Sequence, residues 1–300
     1  MFRLFLFLLF LTTTFAQAQK TDTRLQKQLK TLVKDFHGDL GIYVEDLKTH
    51  SVAAIRADTI FPTASIVKVP ILLGIMDKIQ RGQLDYHQSV TLTDSLRYKA
   101  SDEADLVNAM KTGEKIEISR LLLLMLSTSD NTASLWLQGL AGGGLRINQV
   151  LDSLGYQVTR VNSRTPGREA IRNRYGWGQT SPREMARLFT AISERKLINP
   201  SISEKMLRLL GRQYWDQYAL SQIPPDVFVA DKHGCVNQSR SEVFYVAGPH
   251  PYVCAIFTKN NRDESWEATN EAWTLTRKIS ALLWKYYHPR STWIPDSKNW

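Results

Sequence analysis

Residues 21–36 set Leu25, Leu29, Leu32, Val33 and Phe36 on one face at helical spacing, which predicts an amphipathic helix. Two strand-like runs follow, 40–47 and 51–56, turning at Lys48-Thr49-His50. A helix is expected from Ser65 to about Ile79, closed by Arg81-Gly82-Gln83, and a mostly polar stretch then reaches about Ile116. Helices over 117–126 and 132–140 come next, with Ser129-Asp130-Asn131 at their connection. Gly142-Gly143-Gly144 breaks the chain before a helix over 145–154. Residues 156–181 read as irregular, followed by helices over 182–195 and 201–211. Strands are expected over 227–235, 242–247 and 252–258. A long helix over 265–287 then carries Trp266, Trp273, Leu282, Leu283 and Trp284.

Strands at both ends of the chain, with helices between them, imply one sheet assembled from distant segments. The fold class expected is α+β, three layers (α/β/α): a five-stranded antiparallel sheet flanked by helices, with an all-helical lobe inserted. The sheet lobe takes residues 19–60 and 212–288, the helical lobe 61–211, and a polar tail 289–300. A site is expected at the seam between the lobes, where pockets form.

The first 18 residues read as a secretory signal: Arg3, an apolar run Leu4 to Leu11, and Ala16-Gln17-Ala18 as a small-x-small cleavage site before Gln19. That run is too short for a stable membrane anchor. The expectation is an exported, monomeric protein, periplasmic in a diderm bacterium. The chain holds 38 basic and 29 acidic residues, and one basic residue fewer without Arg3. The basic residues are scattered and no nucleic-acid-binding motif accompanies them, so no nucleic-acid partner is expected. A mild attraction to anionic substrates or envelopes is. The six histidines show no metal-ligand spacing, and neither a metal nor another cofactor is indicated.

Ser65 and Lys68 lie three residues apart, about one helical turn, in Phe61-Pro62-Thr63-Ala64-Ser65-Ile66-Val67-Lys68. A hydroxyl at a helix start has an unpaired backbone donor beside it, and a buried amine one turn on can take its proton. Two further triplets follow in order, Ser129-Asp130-Asn131 and Lys232-His233-Gly234. The ordered set S-x-x-K, S-D-N, K-[TS]-G resembles the class A β-lactamases and penicillin-binding proteins, over about residues 22–288.

The resemblance implies roles. Ser65 would be the acylated nucleophile, Lys68 its proton partner, Ser129 the hydroxyl that passes a proton to the leaving nitrogen, and Lys232 a cation facing the seam. Asn131 would orient the substrate amide, and Asp130 would be structural. Gly234 would let the substrate approach the strand, and the Cys235 N–H would be the second oxyanion donor. His233 replaces the usual Thr or Ser, and with Arg240, matching a T-R pair, it would hold the substrate carboxylate. Cys235 and Cys254 would lie on strands separated by a third, too far apart to bridge.

The departure is in 156–181. Class A enzymes carry R-W-E-P-x-L-N there, and the Glu activates the deacylating water. Alignment on Val158-Thr159-Arg160 and Pro166 puts Thr165 at the Glu position and Glu169 at the Asn position. Glu169 is a candidate displaced base, or else a surface residue or a partner of Arg164 or Arg168. Thr180-Ser181-Pro182 again fits the family. Three functions follow: a β-lactam hydrolase, a D-Ala-D-Ala-type peptidase or esterase that β-lactams block, and a non-catalytic binder of cell-wall fragments.

Overall fold

Asp22 accepts the Leu25 N–H at 2.9 Å and so caps α1 (Thr23–Leu32), whose Leu25 and Leu29 are buried. The computed structural model describes residues 19–99 and 105–295, so the expected leader lies outside the described residues. After α1 come β1 (Asp39–Asp46), β2 (Val52–Ile55) and β3 (Phe61–Pro62). The helical lobe holds α2 (Lys68–Gln80), the short pair β4 (Ser89–Thr91) and β5 (Lys115–Glu117), α3 (Ile118–Ser127), α4 (Asn131–Leu140) and α5 (Gly143–Ser153). Then follow β6 (Arg160–Val161), α6 (Glu169–Tyr175), β7 (Gly178–Thr180), α7 (Pro182–Ser193) and α8 (Pro200–Leu210). The chain ends in β8 (Val229–Val236), β9 (Ser239–Val246), β10 (Tyr252–Lys259) and α9 (Glu271–Tyr287).

The main sheet runs β2-β1-β10-β9-β8, antiparallel throughout, so the first two strands pair with the last three as the pattern implied. Alternation sends Ile42, Val44, Phe244, Cys254 and Ile256 to one face, against α1 and α9. Tyr43, Val243, Val253, Ala255 and Phe257 go to the other, against the helical lobe. Both faces are covered, so the inner strands are buried throughout rather than half polar. Cys235 and Cys254 form no disulfide, and β9 lies between their strands.

α2 is buried from Lys68 to Asp77 and forms the axis of the helical lobe. Three expectations change here. Ser65 sits in a 3-10 turn, Ala64–Val67, that leads into α2, not in the α-helix itself. α9 begins at Glu271 rather than 265, because Asn270 accepts the N–H groups of Ala272 and Trp273 and caps it there. The stretch 156–181 is not wholly irregular: it contains α6 and the strands β6 and β7, which join β3 in a second sheet. α6 has no buried residue, hence no apolar stripe for a periodicity argument to find.

Candidate active site

One residue ahead of the α4 cap and one residue ahead of Ser65, the backbone enters left-handed territory at non-glycine positions. Ala64 has φ 43° and Ser129 φ 65°. Such conformations cost energy and persist where surrounding contacts enforce them. At Ala64 the enforcing contact is β8. A Cβ on Gly234 would lie 2.4 Å from Thr63 O, 2.8 Å from Ser65 N and 2.9 Å from Ile66 N. Gly234 is therefore bare so that β8 can press on the turn carrying Ser65, a packing reason for the glycine beside the expected one of admitting substrate. At Ser129 the enforcing group is Asp130, which accepts Ala133 N–H at 2.7 Å and Val107 N–H at 2.8 Å and so caps α4 while holding segment 105–109. Asp130 is structural, as its place in the motif implied.

Lys68 joins these pieces. Its Nζ lies 3.1 Å from Ser65 Oγ, 3.0 Å from Ser129 Oγ and 2.9 Å from Asn131 Oδ1, and it also bonds the Ser129 carbonyl. The side chain is 0% exposed. Burial, helped by the charge of Lys232 and opposed by Asp105 and Asp130, brings its pKa from 10.5 down to about 7. A substantial fraction is then neutral amine at neutral pH, able to accept the Ser65 proton. Lys232, also 0% exposed, is pulled down by burial to about 8, and its Nζ donates to the His233 carbonyl at 3.0 Å. It shares the β8 face of Ala230 and Gly234, toward the lobe, and underlies the cleft rather than lining it.

Arg240 N–H donates to Thr258 Oγ1 at 2.8 Å and Thr258 Oγ1 donates to Arg240 O at 2.7 Å. The Arg240 backbone is thus occupied on the β10 side. Its partner across β8, Cys235, is a non-hydrogen-bonded pair position, so the Cys235 N–H turns outward from this edge strand. Cys235 lines the cleft next to Ser65. Two backbone donors, those of Ser65 and Cys235, then border the place where an oxyanion would form.

Three expected site residues lie elsewhere. Arg240 is 0% exposed; its guanidinium donates to the carbonyls of Val236, Asn237, Ser239, Glu264 and Ser265, and sits 4.3 Å from the centre of the Trp266 ring. Both terminal nitrogens are spent on backbone, and the residue does not line the cleft. His233 alternates to the α9 side of β8, among Tyr218, Trp215 and Trp273. Burial and the two lysines push its pKa well below the usual value, so it is neutral and turned from any substrate. Glu169 is an exposed first residue of α6 that accepts the Gly167 N–H at 3.2 Å, so its candidacy as deacylation base fails. Thr165 is buried against α5, bonded to Val161 O and Ser163 O, where a Cβ on Gly144 would lie 1.8 Å from its Oγ1.

The cleft measures about 670 Å³. Ser65 and Asn131 lie at its floor, Tyr98 and Trp177 form an edge-on aromatic wall at 5.3 Å, and Arg174, Lys259 and Asn260 lie beyond. None of the described residues lining it is acidic. Tyr98, Trp177, Arg174 and Lys259 went unnoticed in the sequence because no motif carries them. The hint was that Tyr98 and Trp177 are aromatic residues in stretches otherwise polar.

Solved structures share this fold. That of PBP-A superposes with a TM-score of 0.78 at 23% identity, covering 90% of this chain and 98% of that one. An ancestral class A β-lactamase gives 0.74 at 21%, over 88% and 100%. By sequence, a β-lactamase of Proteus vulgaris is 23% identical over 253 residues, 82% of each chain, and one of Streptomyces fradiae 26% identical over 252 residues, 78% of each. The family pattern of the β-lactamase enzymes matches residues 24–287, and the chain belongs to that family.

Proposed function

We propose that this protein is an exported serine hydrolase that forms an acyl-enzyme with β-lactams rapidly and releases it slowly. The observation that carries the reading is the Lys68 amine, held against both Ser65 Oγ and Ser129 Oγ with its pKa near neutrality. Ser65 Oγ bonds to the carbonyl carbon while its proton passes to Lys68 Nζ. The oxyanion rests on the Ser65 and Cys235 N–H groups. The C–N bond then breaks as Ser129 gives the nitrogen a proton, replaced from Lys68. Lys232 acts from beneath the cleft, where its charge helps to hold the Lys68 amine near neutrality. These groups would be pointless in a mere binder of cell-wall fragments.

Release is slow because no described lining residue can deprotonate water: none of them carries a carboxylate, Thr165 faces α5, and Glu169 is outside. General-base help is worth about 10²–10⁴-fold. An acyl-enzyme complex with penicillin G is described for a mutant form of the structural relative PBP-A. The missing base favours, as the natural substrate, a D-Ala-D-Ala-like peptide over the antibiotic itself. Fluorescent penicillin should label the wild-type protein and leave Ser65→Ala unlabelled. Labelling of both would overturn the assignment. Export is checked by the mature N-terminus, expected at Gln19.

A further inference from the structure

We infer that the far end of the cleft is an anion subsite, in which Arg174 and Lys259 receive a carboxylate carried on the acyl arm of the substrate. The inference rests on the acyl-transfer reading, which sets the direction: the leaving nitrogen departs toward Ser129, so the acyl arm runs the other way, over Ala64 and Pro62. Lys259 is fixed to that stretch, and Arg174 is carried alongside it. Lys259 Nζ donates to Ile60 O at 2.9 Å and lies 5.0 Å from the centre of the buried Phe61 ring. On the other wall, Pro62 pairs with Gln179, which brings β7 alongside and with it the end of α6, where Arg174 lies over Tyr175 at 5.1 Å.

Among the described residues neither cation has an acidic partner, whereas Arg56, Arg183 and Arg208 are each paired with a carboxylate. Two cations lining one cleft from two sides, with no acidic partner or acidic lining residue among the described residues, concentrate positive potential where the acyl arm must lie. Arg240 cannot supply that charge, since five backbone carbonyls hold it beneath Trp266. From Pro62 to Ser65 the chain spans at most about 10 Å. The matching ligand has a carboxylate within that distance of its acyl carbon, as an acidic residue next to the terminal dipeptide of a peptide would.

The probe is 6-aminopenicillanic acid acylated with glutaric acid, compared with its side-chain methyl ester, which differs by one charge. Acylation rates at low salt should favour the acid by about threefold to tenfold, the range between an exposed ion pair and a partly desolvated one. The ratio should shrink as salt rises and fall to about one in the Arg174→Ala/Lys259→Met double variant. Equal rates in the wild-type protein, or a ratio that survives in the double variant, would overturn the subsite. Calorimetric binding of the same pair to Ser65→Ala separates this from the chemistry. A preference for the acid there, lost when Arg174→Ala/Lys259→Met is added, upholds the subsite even if acylation fails. Equal binding overturns it even if acylation succeeds.

Discussion

Acylation should follow the ionisation of Lys68. With the amine pKa at about 7, half of the protein carries the neutral base at pH 7 and about 1% at pH 5. An unshifted lysine at 10.5 would leave roughly one molecule in three thousand competent at pH 7. The acylation rate constant with benzylpenicillin, measured by stopped-flow at subsaturating substrate, should therefore rise about fiftyfold from pH 5 to pH 7 and level off above 8. Burial is the main cause of the shift and the Lys232 charge the second, so Lys232→Met should move the midpoint to higher pH. Asp105, Asp130 and Cys235 oppose the shift, whereas two other titratable groups of β8 do not contribute to it. His233 is pushed well below its usual range and does not titrate in the window, while burial raises Asp231 to about 7. Asp231→Asn should leave the midpoint in place. A rate independent of pH between 5 and 8, or a midpoint that Lys232→Met leaves unmoved, would refute the reasoning.

Other outcomes follow from the packing. Arg240→Ala should cost about 2–4 kcal/mol in urea unfolding, because the guanidinium's contacts to five carbonyls go; a loss of substrate preference without a loss of stability would reinstate it as a ligand of the carboxylate. Thr165→Glu should destabilise rather than quicken deacylation, since the site faces Gly144 with no room for a larger side chain; faster turnover in a stable variant would contradict the geometry. Gly234→Ala should all but abolish acylation by displacing the Ser65 turn, which penicillin labelling of the folded variant would check. Glu242 and Asp231 are fully buried neighbours, and burial raises both carboxyls. Their folded pKa values lie above the unfolded ones, so their share of stability is intact below about pH 4 and is lost as pH rises through 7. Glu242→Gln should flatten that decline in melting temperature, and an unchanged slope would rule the pair out as its cause.

The large elements were legible because they bury apolar surface: α1, α3, α7 and α8 announce themselves by periodicity, and the five main strands as short runs bounded by turns. The constellation of Ser65, Lys68, Ser129 and Asn131 was legible as well, because ordered short motifs put it there and the structure brings it to one amine. What failed depended on side-chain direction. His233 and Lys232 are adjacent in a strand and so face opposite ways, which makes a triplet an unreliable guide to who meets substrate. The reach of Arg240 was decided by the 262–270 loop, whose cap at Asn270 leaves Trp266 outside the helix, 63% exposed and over the guanidinium. α6 buries no residue, and no pattern could have shown that its last turn brings Arg174 to the cleft.

The central claim, fast acylation at Ser65 and slow release, is tested most directly by intact mass spectrometry during a time course with one equivalent of benzylpenicillin. The protein should gain the full mass of the antibiotic within the first minutes, peptide mapping should find the adduct on Ser65, and the adduct should decline slowly thereafter. An adduct that never forms, or one that clears as fast as it appears, would contradict it.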